Sequence, residues 1–113
     1  MTSEIPHVEV AAAKRLADDG AVLLDVRELE EWIAGHAPGA THIPLSALGE
    51  RYTEIPQDQQ VVAICRSGAR SASATDALNQ AGFTVTNVAG GMQMWAAKGL
   101  AVVTDAGDPG TVI

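Results

Sequence analysis

Cys65 is the only cysteine in the chain, and it stands where the apolar run Val61–Ile64 ends. Behind it comes the stretch Arg66-Ser67-Gly68-Ala69-Arg70-Ser71, which holds two of the seven basic residues. If the apolar run is a strand and the residues from Ser71 onward are a helix, then 65–70 is a tight loop feeding a helix N-terminus. Backbone N–H groups in such a loop can converge on one point and make an anion-binding nest, and the helix dipole adds positive potential there. Gly68 permits a positive φ or a close backbone approach. Arg66 and Arg70 add full charges and forked donors. A thiol in these surroundings moves toward its anion: cysteines at helix N-termini or beside cations titrate at roughly 3.5–7.5, against about 8.5 when free. The stretch can therefore supply a nucleophilic sulfur and a seat for a small oxyanion together. The competing reading is a buried cysteine acting as a small hydrophobe. The position after the strand, Gly68 and the two arginines favour the reactive one.

The elements that must position this loop alternate along the chain. Residues 7–10 form a short first strand, and 11–20 a short helix stopped by Gly20. Residues 21–26, AVLLDV, are a short apolar run of the kind found in strands buried on both faces. In 28–35, Leu29, Trp32 and Ile33 fall at helical spacing, which predicts an apolar face with the acidic residues pointing outward. Residues 36–40 are a Pro/Gly turn, 41–44 a brief strand, and 45–55 a short helix interrupted by Gly49. After the strand at 61–64 come a helix over 71–82, a strand over 83–88, a glycine turn, and a helix over 92–99 with Met92 and Trp95 on one face. The last residues, 105–113, are turn-rich and predicted to be a mobile tail to a domain spanning 1–104. Strands alternating with helices predict an α/β layer fold with a mainly parallel sheet, and ligands bind beyond the carboxyl ends of such strands. Cys65 lies at one of those ends.

Composition bounds what the loop can serve. The chain has 113 residues, enough for one domain, and 47% are hydrophobic, enough for a packed core. A net charge of -7 argues against a nucleic-acid or anionic-membrane surface. It leaves room for a local cationic pocket, because no acidic residue lies between Asp58 and Asp76. No secretory leader and no run of membrane-spanning length is visible, and a single cysteine cannot close an internal disulfide, so a reduced, cytoplasmic protein is expected. His7, His36 and His42 lack metal-ligand spacing, and no metal or other cofactor is expected.

Three segments in order resemble the rhodanese family of sulfurtransferases. Residues 23–45, LLDVRELEEWIAGHAPGATHIPL, resemble its upstream strand, Asp-x-Arg, helix and Gly-His-x-Pro-Gly-Ala turn. CRSGARS resembles its active-site loop, and 85–103 resemble its closing segment, where a Gly-Gly pair precedes a helix bearing Trp. The resemblance implies a three-layer α/β/α domain with a five-stranded, mainly parallel sheet of order 1-5-4-2-3. It also implies that Cys65 is the sulfur-carrying nucleophile, and that thiosulfate is the donor and a thiol, a protein thiol or cyanide the acceptor. Related phosphatases and arsenate reductases carry Cys-x5-Arg, whereas here the second arginine closes Cys-x4-Arg and Ser71 takes the later place. A small phosphatase or arsenate reductase is the enzyme alternative; the latter would need a second thiol. A non-catalytic or slow sulfur carrier is the alternative from another class.

Substrate contacts are expected from Arg66, Ser67, Gly68, Ala69, Arg70 and Ser71, with Ser71 equally suited to cap the following helix. Arg70 is expected to cover the sulfur and Arg66 to lie at the rim. Asp25, Arg27 and His36 are expected to support the site structurally. Trp32 and Trp95 are expected in the core, and the acids of 28–31 on a solvated face.

Overall fold

Short β-branched and apolar runs become the strands of one parallel sheet, and the stretches between them cross over as helices. A computed structural model of the chain describes residues 5–113. In chain order the elements are β1 (His7–Val8), α1 (Val10–Asp18), β2 (Val22–Asp25), α2 (Leu29–Ala34), β3 (Thr41–His42), α3 (Leu45–Arg51), a 3-10 turn (Tyr52–Glu54), β4 (Gln60–Ile64), α4 (Ala69–Gln80), β5 (Thr84–Val88) and α5 (Gly91–Ala97). The strand order is β1-β5-β4-β2-β3, and every pairing among them is parallel. Parallel strands need crossovers, and the crossovers lay helices on both faces. One face of the sheet packs Leu24, Val61, Ala63 and Val85 against Leu48, Ala74 and Leu78. The other packs Leu23, Val62, Ile64 and Val88 against Ala13, Met92 and Trp95. Because β4 is central, its residues Val61–Ile64 are fully buried and it ends inside the molecule, with Cys65 only 1% exposed.

Beside that end, β2 terminates in a buried ion pair. Asp25 and Arg27 are both 0% exposed. Arg27 Nη2 donates to Asp25 Oδ2 at 2.7 Å and to the Gly35 carbonyl at 2.8 Å; its Nε donates to Asp25 Oδ1 at 3.0 Å. The pair thus ties the strand end to the far end of α2, and the register of β2 on β4 sets Asp25 opposite Ile64, one residue before Cys65.

Two sequence expectations change. Helix α2 does not bury the Leu29/Ile33 face: both side chains are 57% exposed, and Trp32 is half-buried, stacked on the His36 ring at 3.5 Å and on His42 at 4.9 Å. A helix of six residues can seat little more than one turn, and here the inward positions go to Trp32 and to Glu31, whose carboxylate finds an arginine. The closing segment, read as a mobile tail, packs against the domain. Val103 bridges both His36 and Pro109, and the Thr111 N–H donates to the Ala34 carbonyl at 2.9 Å. Glycines at the contact make it possible: a Cβ on Gly35 would stand 2.6 Å from Thr111 N, and one on Gly110 would stand 2.7 Å from Gly35 Cα.

Removing one partner of a buried ion pair leaves the other charged and desolvated, at a cost of about 3–5 kcal/mol. Asp25→Ala is therefore expected to lower the denaturant midpoint by that much stability, while an exposed control, Asp18→Ala, stays near wild type. Equal midpoints would show that the pair does not anchor β2.

Candidate active site

The helix after Cys65 starts earlier than its sequence suggests. Gly68 is the N-cap, in the left-handed region at φ 111°, and α4 begins at Ala69. Only Arg66 and Ser67 separate Cys65 from that cap, so the chain must curl back over the sulfur. The curl brings donors to Sγ: the Gly68 N–H at 3.1 Å and the Ser71 hydroxyl at 3.3 Å. Ser71 is fully buried, and its hydroxyl also reaches the Gly68 carbonyl at 3.3 Å. The cap is thus Gly68, and Ser71, which the sequence suited equally to capping, donates to the sulfur instead. Ser67 and Ala69 are exposed, with Ala69 opening the helix.

Burial pushes the Cys65 thiol up, but the Ser71 hydroxyl and the backbone N–H groups of Ser71, Gly68 and Ser67 more than offset it. The net direction is down, toward thiolate at lower pH than for a free cysteine. Dipoles do most of this work, since neither arginine donates to Sγ.

The loop holds its shape through its carbonyls. Met92 N–H donates to the Cys65 carbonyl at 2.7 Å, and Gln93 N–H to the Arg66 carbonyl at 3.0 Å. These bonds need Gly91, at φ +56°, because a Cβ there would collide with the Cys65 carbonyl oxygen and approach the Arg66 oxygen to 2.6 Å. Asn87, buried on β5, donates from Nδ2 to the Gly68 carbonyl at 3.2 Å.

Both arginines have partners in the chain. Arg70 makes a bidentate pair with Glu31, Nη1 to Oε1 at 2.7 Å and Nη2 to Oε2 at 2.8 Å. That hydrogen bond, chiefly, lowers the Glu31 carboxyl and raises Arg70 further above its usual range. Glu31 Oε1 also accepts from the Glu28 N–H at 3.1 Å, closing a capping box on α2. Arg66 is exposed, and its Nε donates to the Ile113 main-chain oxygen at 2.9 Å. With its amide oxygen turned toward Arg66, Gln93 accepts from Nη1 at 3.1 Å and Nη2 at 3.2 Å. Arg70, expected to cover the sulfur, thus gives both terminal nitrogens to Glu31 and makes no hydrogen bond to Sγ.

Among the supporting residues, Asp25 and Arg27 brace the strand end next to Cys65. His36 is buried elsewhere, with Nδ1 on the Trp32 carbonyl at 2.9 Å and Nε2 3.4 Å from Asp105. Sequence reasoning missed Glu31, Asn87, Gln93 and the Ile113 contact. For Glu31 a signal was present in the three-residue spacing from Glu28, which suits a capping box.

Ser71→Ala removes one donor from the thiolate while leaving the backbone donors in place. The Cys65 pKa is expected to rise. Because thiolate forms as pH climbs through the pKa, the alkylation profile should shift to higher pH and its rate below the inflection should fall. An unshifted profile would mean that the hydroxyl does not stabilise the anion.

The fold and loop have counterparts among known proteins. The family profile of the Rhodanese-like domain matches residues 9–98. A sulfurtransferase of Allochromatium vinosum is 43% identical over 109 residues, covering 95% of this chain and 100% of that one. YrkF of Bacillus subtilis, a candidate sulfur carrier protein, is 38% identical over 99 residues, and the match takes in 85% of this chain but only 54% of YrkF. The chain thus spans about half the length of that relative. Among solved structures, a rhodanese-related protein of Thermoplasma volcanium superposes with a TM-score of 0.84 at 33% identity, over 88% of this chain and 99% of that one. With the parallel sheet order, the cysteine at the end of β4 and a matching profile over most of its length, the chain belongs to the rhodanese-like domain family of sulfurtransferases and sulfur carriers.

Proposed function

We propose that this chain transfers a sulfane sulfur through a persulfide on Cys65, with thiosulfate as a donor. The observation that carries the reading is the ring of donors on Sγ, from Gly68 N–H and the Ser71 hydroxyl, at a sulfur set on the end of the central strand. The Cys65 thiolate attacks the outer sulfur of thiosulfate. A new Sγ–S bond forms as the donor S–S bond breaks, and sulfite departs with the bonding pair. The product persulfide is an anion one atom further out. The N–H groups of the loop and the first turn of α4, which face Sγ, would stabilise its charge. An acceptor thiolate then attacks the outer sulfur, and Cys65 leaves as thiolate. A small thiol or a protein cysteine fits this step, as does cyanide in an assay. Arg66 and Arg70 lie at the rim of the loop and draw anionic donors to it, while Asp25, Arg27 and His36 hold the surrounding elements.

A slower role as sulfur carrier uses the same loop, and the likeness to YrkF favours keeping it as a second reading. Turnover separates the two: a carrier loads once, an enzyme cycles.

Intact mass spectrometry after thiosulfate treatment should find one added sulfur atom, removable by cyanide or dithiothreitol, and none on Cys65→Ser. Loading of that variant would falsify the assignment. Arg70→Ala should lower kcat/KM for thiosulfate up to about tenfold, about 1.4 kcal/mol, since its guanidinium is already paired with Glu31 and acts by attraction rather than by a direct bond to the donor. Arg66→Ala should have a smaller effect that shrinks with added salt. Normal kinetics and melts in both variants would exclude the arginines from donor recruitment.

A further inference from the structure

Arg70 is the cation nearest in sequence to the first turn over the sulfur that is not fully exposed, and its charge is matched by Glu31 at two short contacts. The Glu31 side chain is 14% exposed and that of Arg70 34%, so the pair is screened less than a surface pair. Arg70 feels the charge of Cys65 as well as that of Glu31. Arg66, the other loop cation, spreads its donors over the Ile113 main-chain oxygen and Gln93 and pairs with no acidic side chain among the described residues. Glu31 is thus the acidic side chain that pairs with a loop cation, and it sits there by construction. The capping box fixes its carboxylate from one side and the guanidinium from the other.

We propose that Glu31 is a specificity-determining residue, which subtracts charge from the anion cradle around Cys65 and so biases the site toward donors carrying less negative charge than thiosulfate. The chemical class favoured is a persulfide of a small or protein thiol, R–S–SH or its monoanion. There Cys65 thiolate takes the outer sulfur, the donor S–S bond breaks, and R–S⁻ departs with the pair. A doubly charged donor still binds through the loop N–H groups, but against the field of the carboxylate. This donor preference rests on the sulfur-transfer reading above, whereas the charge at the sulfur does not.

The two are separated by measuring charge directly. Alkylation of Cys65 by iodoacetate, an anion, relative to iodoacetamide, its neutral counterpart, reports the local potential without any sulfur transfer. Glu31→Gln keeps an amide oxygen for Arg70 and for the Glu28 N–H while removing the charge. It should raise the iodoacetate-to-iodoacetamide rate ratio about three- to tenfold at low ionic strength, with the gain fading in high salt. The KM for thiosulfate should fall by a similar factor, and kinetics with glutathione persulfide should move less. Glu30→Gln, on the exposed side of the same helix, makes the same change in net charge and should leave the ratio close to wild type. In Arg70→Ala the ratio should drop, and adding Glu31→Gln to that variant should bring it back toward wild type. That rescue is not expected of a residue that merely supports the fold, and thermal melts check each variant. An unchanged ratio in Glu31→Gln, or an equal rise in Glu30→Gln, overturns the inference. If the ratio moves as expected but no variant accepts sulfur from either donor, Glu31 still sets the charge at Cys65 and it is the sulfur-transfer reading that fails.

Discussion

The direction in which the peptide groups after Cys65 point governs the rest of the site. A peptide unit that turns its N–H inward must turn its carbonyl outward, and an outward carbonyl buried in protein needs a donor. The first turn of α5 supplies that donor twice, from Met92 and Gln93 to the carbonyls of Cys65 and Arg66. The loop can then face its N–H groups toward the sulfur without leaving unpaired oxygens behind. Gly91 makes the approach possible, since any Cβ there would occupy the place of the Cys65 oxygen. Gly68 completes the curl with a backbone conformation that side chains other than glycine rarely adopt. The anion-favouring character of the loop is thus a property of how α5 packs on the end of β4, as much as of the loop sequence.

Around this core the charges form two nested pairs. Asp25 and Arg27 are fully buried and neutralise each other, and the carbonyl of Gly35 takes a remaining guanidinium donor. That arrangement satisfies the condition under which a buried pair is tolerated: every side-chain nitrogen and oxygen of the two residues has a hydrogen-bond partner. Glu31 and Arg70 are partly exposed, where solvent weakens their attraction more than it does that of the buried pair. The inner pair ties the end of β2 to the end of α2; the outer pair joins α2 to the first turn of α4. They meet in α2, whose Glu31 carbonyl also accepts from Arg27 Nη1 at 3.3 Å, so the helix that carries the outer pair is anchored by the inner one.

An exposed apolar face on α2, Leu29 and Ile33, follows from the same geometry. Turning Glu31 toward Arg70 turns the side chains at the neighbouring helical positions away. The capping box and the bidentate pair provide several charge-assisted hydrogen bonds, which a six-residue helix could not match by burying two more aliphatic side chains on one short turn.

The sequence by itself determined the fold class, the alternation of elements, the place of Cys65 at a strand end and the cationic character of the stretch after it. These are local or periodic signals: a β-branched run, a glycine stop, a lone thiol among arginines. Motif order added the sheet order, which no local pattern encodes. What only the tertiary structure decided were the pairings. Whether Arg70 faces the sulfur or a carboxylate depends on Glu31, thirty-nine positions away in sequence. Whether residues 105–113 are loose or packed depends on Gly35 and Gly110 leaving room for two backbones. The helical spacing of Leu29, Trp32 and Ile33 pointed to a buried face, and it misled because hydrophobic periodicity says which residues share a side but not which side meets the protein. A charged partner from another element settled that, and such partners are invisible until the chain is folded.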